Sequence, residues 1–170
     1  YKSGKISRTE ALKRIKVIEP ATKENVAQDV ELLASIFQRL YKSDLSKTYY
    51  TANRIGYGRI PEFGIVFEMR VYSSSKDDKL HRITTLQKGG LTQEERDDIV
   101  KEMYPEFLDE LKTNIIQYGR TVKSLSSEEI MMFKVRLTEC KGCGIPEVLE
   151  LSIKASDLAA YDTGKINESS

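Results

Sequence analysis

The stretch from residue 48 to 72 constrains the fold most, because its alternation and its glycine-rich centre together predict a hairpin. The side-chain pattern has a period of two on both sides of the centre, which is typical of strands. After the centre, one face is formed by Ile65, Phe67, Met69 and Val71, and this face is expected to be buried. The centre contains Gly56, Gly58, Pro61 and Gly64. Glycine adopts positive φ angles that are closed to other residues, so the interval 55–63 is predicted to be a loop with exposed backbone amides. A phosphate-binding loop would lead into a helix, whereas a second strand follows here, so a structural turn is favoured.

A second hairpin is predicted between residues 129 and 154, where the inside–outside alternation is the clearest in the chain. Its apolar face is formed by Met131, Phe133, Val135, Leu137, Leu149, Leu151 and Ile153. Lysine, arginine and glutamate residues lie between these positions, so the opposite face is expected to contact water.

Three helices are predicted around the two hairpins. The first begins at Thr22, and its apolar stripe consists of Val26, Val30, Leu33, Phe37 and Leu40. The second follows a capping box of Thr92 and Glu95, and Pro105 within it predicts a kink or a break. Its apolar stripe consists of Ile99, Met103, Phe107, Leu111, Ile115 and Tyr118. Ser156 begins a short third helix.

The predicted order is helix, hairpin, helix, hairpin, helix. The simplest fold for this order is an α+β two-layer sandwich, in which two β-hairpins form a mainly antiparallel four-stranded sheet with the helices on one face. A length of 170 residues, of which 39% are hydrophobic, fits a single α+β domain over 1–170, with 1–20 and 165–170 peripheral. The sequence leaves the strand order open.

The charge balance argues against a nucleic-acid partner. Lysine and arginine number 27 and aspartate and glutamate 26, so the net charge of +1 produces no global field. No apolar run reaches the roughly 20 residues of a membrane span, so no span is predicted. The chain begins at Tyr1 rather than at Met, as expected of a processed or trimmed product.

The two cysteines, Cys140 and Cys143, lie in the predicted turn of the second hairpin. A redox pair normally lies where a strand gives way to a helix, and here another strand pattern follows. A zinc site needs two further ligands, and the only histidine, His81, is distant in sequence. The favoured interpretation is a turn with free thiols or a small disulfide, with redox chemistry and metal binding as alternatives.

The sequence singles out no catalytic residue. GxSxG, HExxH, Walker and GxGxxG patterns are all missing, and a nucleophile would depend on His81 as its base. Two of the 26 carboxylates could converge, but nothing in the sequence selects a pair. The sequence therefore leaves catalysis open but favours a protein that is not an enzyme, and we expect no metal ligands and no cofactor.

The tyrosines near the first hairpin are expected either to complete the rim of the core or to contact a partner, because tyrosine is enriched at interfaces. The candidate contacts are Tyr49, Tyr57, Gly58, Arg59 and Tyr72. An open sheet also has edge strands, which suit a second copy of the chain, as in a homodimer, or another protein partner.

Three segments resemble a group of uncharacterised exported proteins of Bacteroides-type and related bacteria. They are the run DVELLASIF at 29–37, the strand GIVF at 64–67 and the step YGRTVKSL at 118–125. The resemblance implies an extracytoplasmic protein, periplasmic or at the cell surface, whose signal peptide has been removed. In such a compartment a Cys140–Cys143 disulfide is favoured. The resemblance brings no activity and no functional residue.

Three functions are consistent with these patterns. The first is a non-catalytic extracytoplasmic binding or assembly module that uses its sheet face or edge. The second is an enzyme that acts through the two thiols or through a carboxylate pocket. The third is a cytoplasmic regulatory domain that binds a small ligand at the 56–64 loop.

Overall fold

The computed structural model describes residues 13, 27–42, 49–73, 92–140 and 142–162. The predicted helix start at Thr22, His81 and the peripheral segments at the two ends of the chain, apart from Lys13, lie outside the described residues.

The described residues form an α+β fold with three helices and one five-stranded mixed sheet. The helices are α1 (Gln28–Leu40), α2 (Gln93–Gly119) and α3 (Ala155–Asp162). The strands are β1 (Tyr49–Tyr50), β2 (Gly56–Ile60), β3 (Gly64–Ser73), β4 (Ile130–Leu137) and β5 (Val148–Lys154). The α+β class is confirmed, whereas the four-stranded, mainly antiparallel sheet and the simple helix–hairpin order are not.

Strand β3 lies at the centre of the sheet. On one side β2 pairs antiparallel with its first half and β1 pairs antiparallel with its end. On the other side β4 pairs with β3 in parallel, and β5 then pairs antiparallel with β4. The β3–β4 pairing is parallel because the connection between them contains α2, which returns the chain to the end of the sheet where β3 began.

The first hairpin differs from its prediction. Residues Gly56–Ile60, predicted to be a loop, form strand β2, and the turn consists only of residues 61–63. Glu62 in this turn adopts a φ of 64°. Pairing with β3 uses the backbone amides of the glycines that a loop would have exposed, so tertiary context overrides the low strand propensity of glycine. The proposed small-ligand loop at 56–64 is therefore a paired strand and a tight turn.

The core lies between the sheet and helices α1 and α2. The helices contribute Val30, Leu33, Phe37, Phe107, Leu111 and Ile115, and the sheet contributes Ile65, Phe67, Met69, Val71, Met131, Phe133 and Val135. The ring of Phe133 lies 4.6 Å from that of Phe37 and 4.7 Å from that of Phe67, measured between centroids. The apolar stripes predicted for these residues are confirmed.

Helix α2 begins at the predicted capping box. The Thr92 hydroxyl accepts the Glu95 amide at 3.2 Å, and the Glu95 carboxylate accepts the Thr92 amide at 2.7 Å. The helix continues through Pro105, so the predicted break does not occur. None of the described helices combines the length and the apolar character that a bilayer crossing requires.

Candidate partner-binding face of the sheet

The face of the sheet opposite the core, which we call the outer face, is not covered by any described helix. In the central strands it is formed by Val66, Glu68, Arg70, Tyr72, Met132, Lys134 and Arg136, all exposed or half-buried. The parallel register places Val66 beside Met132 and Arg70 beside Arg136. Because neighbours in register pack side by side, the outer face has an apolar end and a charged end.

A depression of about 250 Å³ lies at the charged end. It is lined by Asn53, Arg54, Gly56, Glu68, Met69, Arg70, Lys134 and Arg136. Gly56 is paired with Glu68 and has no side chain to fill the space beside it. The glycine that suggested a loop therefore helps to keep this surface concave.

Among the described residues that line this depression, cations outnumber carboxylates. Three arginines and Lys134 face one lining carboxylate, that of Glu68. The ammonium of Lys134 lies 3.3 Å from a carboxylate oxygen of Glu150 on the neighbouring strand. Within the part of the chain that the structure describes, Arg54, Arg70 and Arg136 have no carboxylate at ion-pair distance. The depression is therefore suited to anionic groups.

Aromatic contacts hold one of these arginines in place. The guanidinium of Arg70 lies 5.9 Å from the ring centroid of Tyr72, and the Tyr72 ring stacks on Tyr50 at 6.0 Å. The Tyr72 hydroxyl donates to the side-chain oxygen of Asn53 at 2.8 Å. A guanidinium fixed by such contacts loses less entropy when it binds an anion.

The sheet separates the partner contacts predicted from sequence. Tyr72 and Gly58 lie on the outer face, whereas Tyr57 and Arg59 alternate to the other side. Tyr57 packs near Phe67, with ring centroids 6.4 Å apart. Arg59 pairs with the Glu129 carboxylate and donates to the carbonyl of Ser124, so its role is to anchor a loop.

Tyr49 is corrected from a partner contact to a core residue. Only 6% of its surface is exposed, and its ring stacks on Phe107 at 4.4 Å. Its hydroxyl donates to the carbonyl of Val100 at 2.7 Å. A buried tyrosine with its hydroxyl bonded inside the fold cannot reach a partner.

The arginines that line the depression, Arg54, Arg70 and Arg136, were not among the partner contacts predicted from sequence; the one arginine predicted as a contact, Arg59, lies on the other side of the sheet. The alternation along β3 and β4 places Arg70 and Arg136 at outward-facing positions, and this alternation is the sequence signal that could have identified them. Their adjacency depends on the parallel register of two strands separated by more than fifty positions, which no local pattern encodes.

Cys140 and Cys143 lie in the connection between β4 and β5, with their sulfurs in disulfide contact and their Cα atoms 5.5 Å apart. Together with the Asp97 carboxylate they form a group of three potential metal ligands within 4.8 Å of one another. Joined in a disulfide, the two sulfurs could not act as thiolate ligands. A structural zinc site has four ligands, of which the described residues supply at most three. The pair leads into a strand rather than a helix, so the redox-motif context is also missing. The oxidised state of the pair stays a prediction.

Another cavity, of about 570 Å³, lies between α2 and α3. It is lined by Lys112, Thr113, Ile116, Gln117, Arg120 and Tyr161. These residues include no carboxylate, cysteine or histidine that would act as a base for Thr113. The described residues that line this cavity therefore form no recognisable catalytic arrangement.

One serine–carboxylate contact has a structural explanation. Ser124 donates its hydroxyl to Asp29 at 2.9 Å, and the same carboxylate also accepts the amides of Val30, Lys123 and Ser124. A carboxylate occupied by four donors anchors a loop and is not available as a base.

The outer face thus remains the best candidate for function. No protein-family model, curated protein or solved structure matches this chain.

Proposed function

We propose that this protein is a non-catalytic binding module that works outside the cytoplasm and holds an acidic segment of a protein partner on its outer face. The observation that carries the proposal is the depression lined by Arg54, Arg70 and Arg136, which lack carboxylate partners of their own among the described residues. Guanidinium groups pair with carboxylates through two parallel hydrogen bonds, which gives both affinity and orientation.

The composition of the outer face favours a protein as the partner. Tyrosine, arginine and methionine are enriched at protein interfaces, and the face presents all three, including Tyr72 and Met132. At its apolar end, Val66 and Met132 are only half-buried and lie side by side. An acidic segment with apolar residues on one side would satisfy both ends of the face.

The extracytoplasmic location has separate support. Disulfides persist mainly in oxidising compartments, and the sulfurs of Cys140 and Cys143 are in disulfide contact. The resemblance to exported bacterial proteins implies the same location.

Binding is tested with a fluorescent glutamate-rich peptide, with a lysine-rich peptide and a sulfated polysaccharide as comparison probes, by fluorescence anisotropy. We expect the acidic peptide to bind, and its affinity to fall as salt is added, because exposed charges are screened. The double variant Arg70→Glu/Arg136→Glu should weaken binding by at least about tenfold, since it reverses the charge of the depression.

The matched control is Lys101→Glu/Lys112→Glu, which makes the same change in net charge on the exposed surface of α2. It should leave the affinity for the acidic peptide unchanged. Equal losses in the two variants would show attraction by net charge alone and would refute the proposal. Binding of the polysaccharide without the peptide would refute a protein partner.

A further inference from the structure

Strand β5 is an edge of the sheet, and no strand among the described residues pairs with its other side. At its two ends the Leu137 amide donates to the Glu147 carbonyl, and the Ala155 amide donates to the Glu129 carbonyl. Hydrogen-bonded positions alternate along an antiparallel ladder, so Leu149, Leu151 and Ile153 direct their backbone groups toward β4. The backbone groups of Glu150 and Ser152, and the Lys154 amide, therefore point outward.

The edge lacks several of the devices that block pairing with another strand. Proteins protect edges with proline, with bulges, with charges or with a covering loop. The register of β5 on β4 runs without interruption from Val148 to Lys154, and the strand contains neither proline nor glycine. Its charged side chains, Glu150 and Lys154, have opposite signs and can complement each other across a symmetric pairing.

We propose that β5 pairs antiparallel with β5 of a second copy of this chain, with Ser152 opposite Ser152 on the two-fold axis. In this register Glu150 lies opposite Lys154 of the partner subunit, and symmetry repeats the pair. On the core side, the half-buried Leu151 lies opposite Ile153 of the partner subunit. If the two-fold axis were centred on Glu150, two carboxylates would lie opposite each other, which is unfavourable. If it were centred on Leu151, neither Glu150 nor Lys154 would lie opposite a residue of the opposite charge.

The pairing also fits the surroundings of Glu150 within one chain. Its carboxylate already lies 3.3 Å from the ammonium of Lys134, so in the dimer it would lie between two cations. Since a short edge buries little area, the interface belongs among the small ones, below about 1,200 Å², and association should depend on concentration over a wide range. The interface lies on β5, whereas the three arginines of the depression lie on and beside β3 and β4, so the dimer contact does not use these arginines.

The experiment is sedimentation equilibrium on the full 170-residue chain over a range of concentrations. Glu150→Lys and Lys154→Glu should each raise the dimer dissociation constant by at least about tenfold. Each substitution places two pairs of like charges across the symmetric interface, which is unfavourable. The double variant Glu150→Lys/Lys154→Glu again opposes unlike charges across the axis and should recover most of the lost affinity, although it removes the carboxylate partner of Lys134. Asp109→Lys, on the exposed surface of α2, is the control and should change nothing.

Ser152→Pro tests the backbone pairing. The Ser152 amide points away from β4, so proline removes no hydrogen bond within the sheet, and circular dichroism should show a folded monomer. Dimerisation should be lost. A chain that stays monomeric up to about 1 mM would overturn the proposal. So would single charge variants that associate like wild type, or a double variant that fails to recover.

Discussion

Ser124 donates two hydrogen bonds to the Asp29 carboxylate across 95 residues of sequence, from its amide at 2.8 Å and from its hydroxyl at 2.9 Å. The amide of Lys123 adds a third at 2.6 Å, and the amide of Val30 a fourth at 2.9 Å. The first turn of α1 is thereby joined to the loop that leads from α2 into β4.

Replacing Asp29 by asparagine should destabilise the fold. An amide has a single oxygen, so its NH₂ group would face backbone donors that the carboxylate now satisfies. We expect the free energy of unfolding to fall by about 1–3 kcal/mol in urea denaturation. Asp98→Asn, on the exposed surface of α2, should change it by less than about 0.5 kcal/mol. Equal effects of the two substitutions would contradict the anchoring role of Asp29.

Two anchoring carboxylates should make the protein sensitive to acid. Burial raises the pKa of Asp29 and Glu129, but bonds from Ser124 to Asp29, and from Ser126 and Arg59 to Glu129, outweigh it and hold each pKa below its ordinary value. A pKa that is lower in the folded state stabilises the fold fully above the unfolded pKa of about 4 and loses this effect as the pH falls through the folded pKa. The free energy of unfolding should therefore decline below about pH 4.

The double variant Asp29→Asn/Glu129→Gln isolates that effect. Its unfolding free energy should depend less steeply on pH in this acid range than that of the wild type. Part of the dependence should remain, since the capping bonds from Thr92 also lower the pKa of Glu95. Parallel pH profiles for variant and wild type would disprove the assignment.

Gly64 should not tolerate a side chain. Its φ is 133°, and a Cβ there would overlap the backbone of Ile130, with which it is paired in the parallel β3–β4 register. We expect Gly64→Ala to cost about 3 kcal/mol or more, measured by thermal or urea unfolding. Gly56→Ala is the matched control, because its Cβ would meet Glu68 at an ordinary 3.7 Å, and it should cost about 1 kcal/mol or less.

A buried polar pair joins the two core helices. The side-chain amide of Asn114 donates to the hydroxyl of Tyr41 at 2.9 Å, with Asn114 8% exposed and Tyr41 1% exposed. Tyr41→Phe should cost about 1–3 kcal/mol, because it leaves a buried donor without this acceptor. In a double-mutant cycle with Asn114→Leu, the combined loss should be smaller than the sum of the single losses. Strict additivity would show that the two groups do not interact.

The cysteine pair should be oxidised in protein isolated from an oxidising compartment. Alkylation without reductant should modify neither Cys140 nor Cys143, and mass spectrometry should show both modified after reduction. The bridge closes a very short loop, so its removal should cost no more than about 2 kcal/mol. Two free thiols in the isolated protein would argue against both the disulfide and the extracytoplasmic location.

The helices could be predicted from sequence because their signals are local. The Thr92–Glu95 capping box and the spacing of Phe107, Leu111 and Ile115 lie within a few turns of one another. The same holds for the alternation in β4 and β5. The candidate site could not be predicted from sequence in the same way, because its arginines lie far apart in the chain and are brought together only by the register of the strands.

The sequence by itself determined which side chains are buried in α1, β3, α2 and β4, since burial follows a helical or strand period that neighbouring residues express. Only the tertiary structure decided that 56–60 is a strand and that β3 and β4 run parallel. The depression beside Gly56 and the arginines around it follow from those two pairings. Strand pairing depends on backbone hydrogen bonds between segments that are distant in sequence, and no local pattern predicts their free energy. For this reason the segment 56–60, which the sequence predicts to be a loop, is a strand at the border of the candidate site.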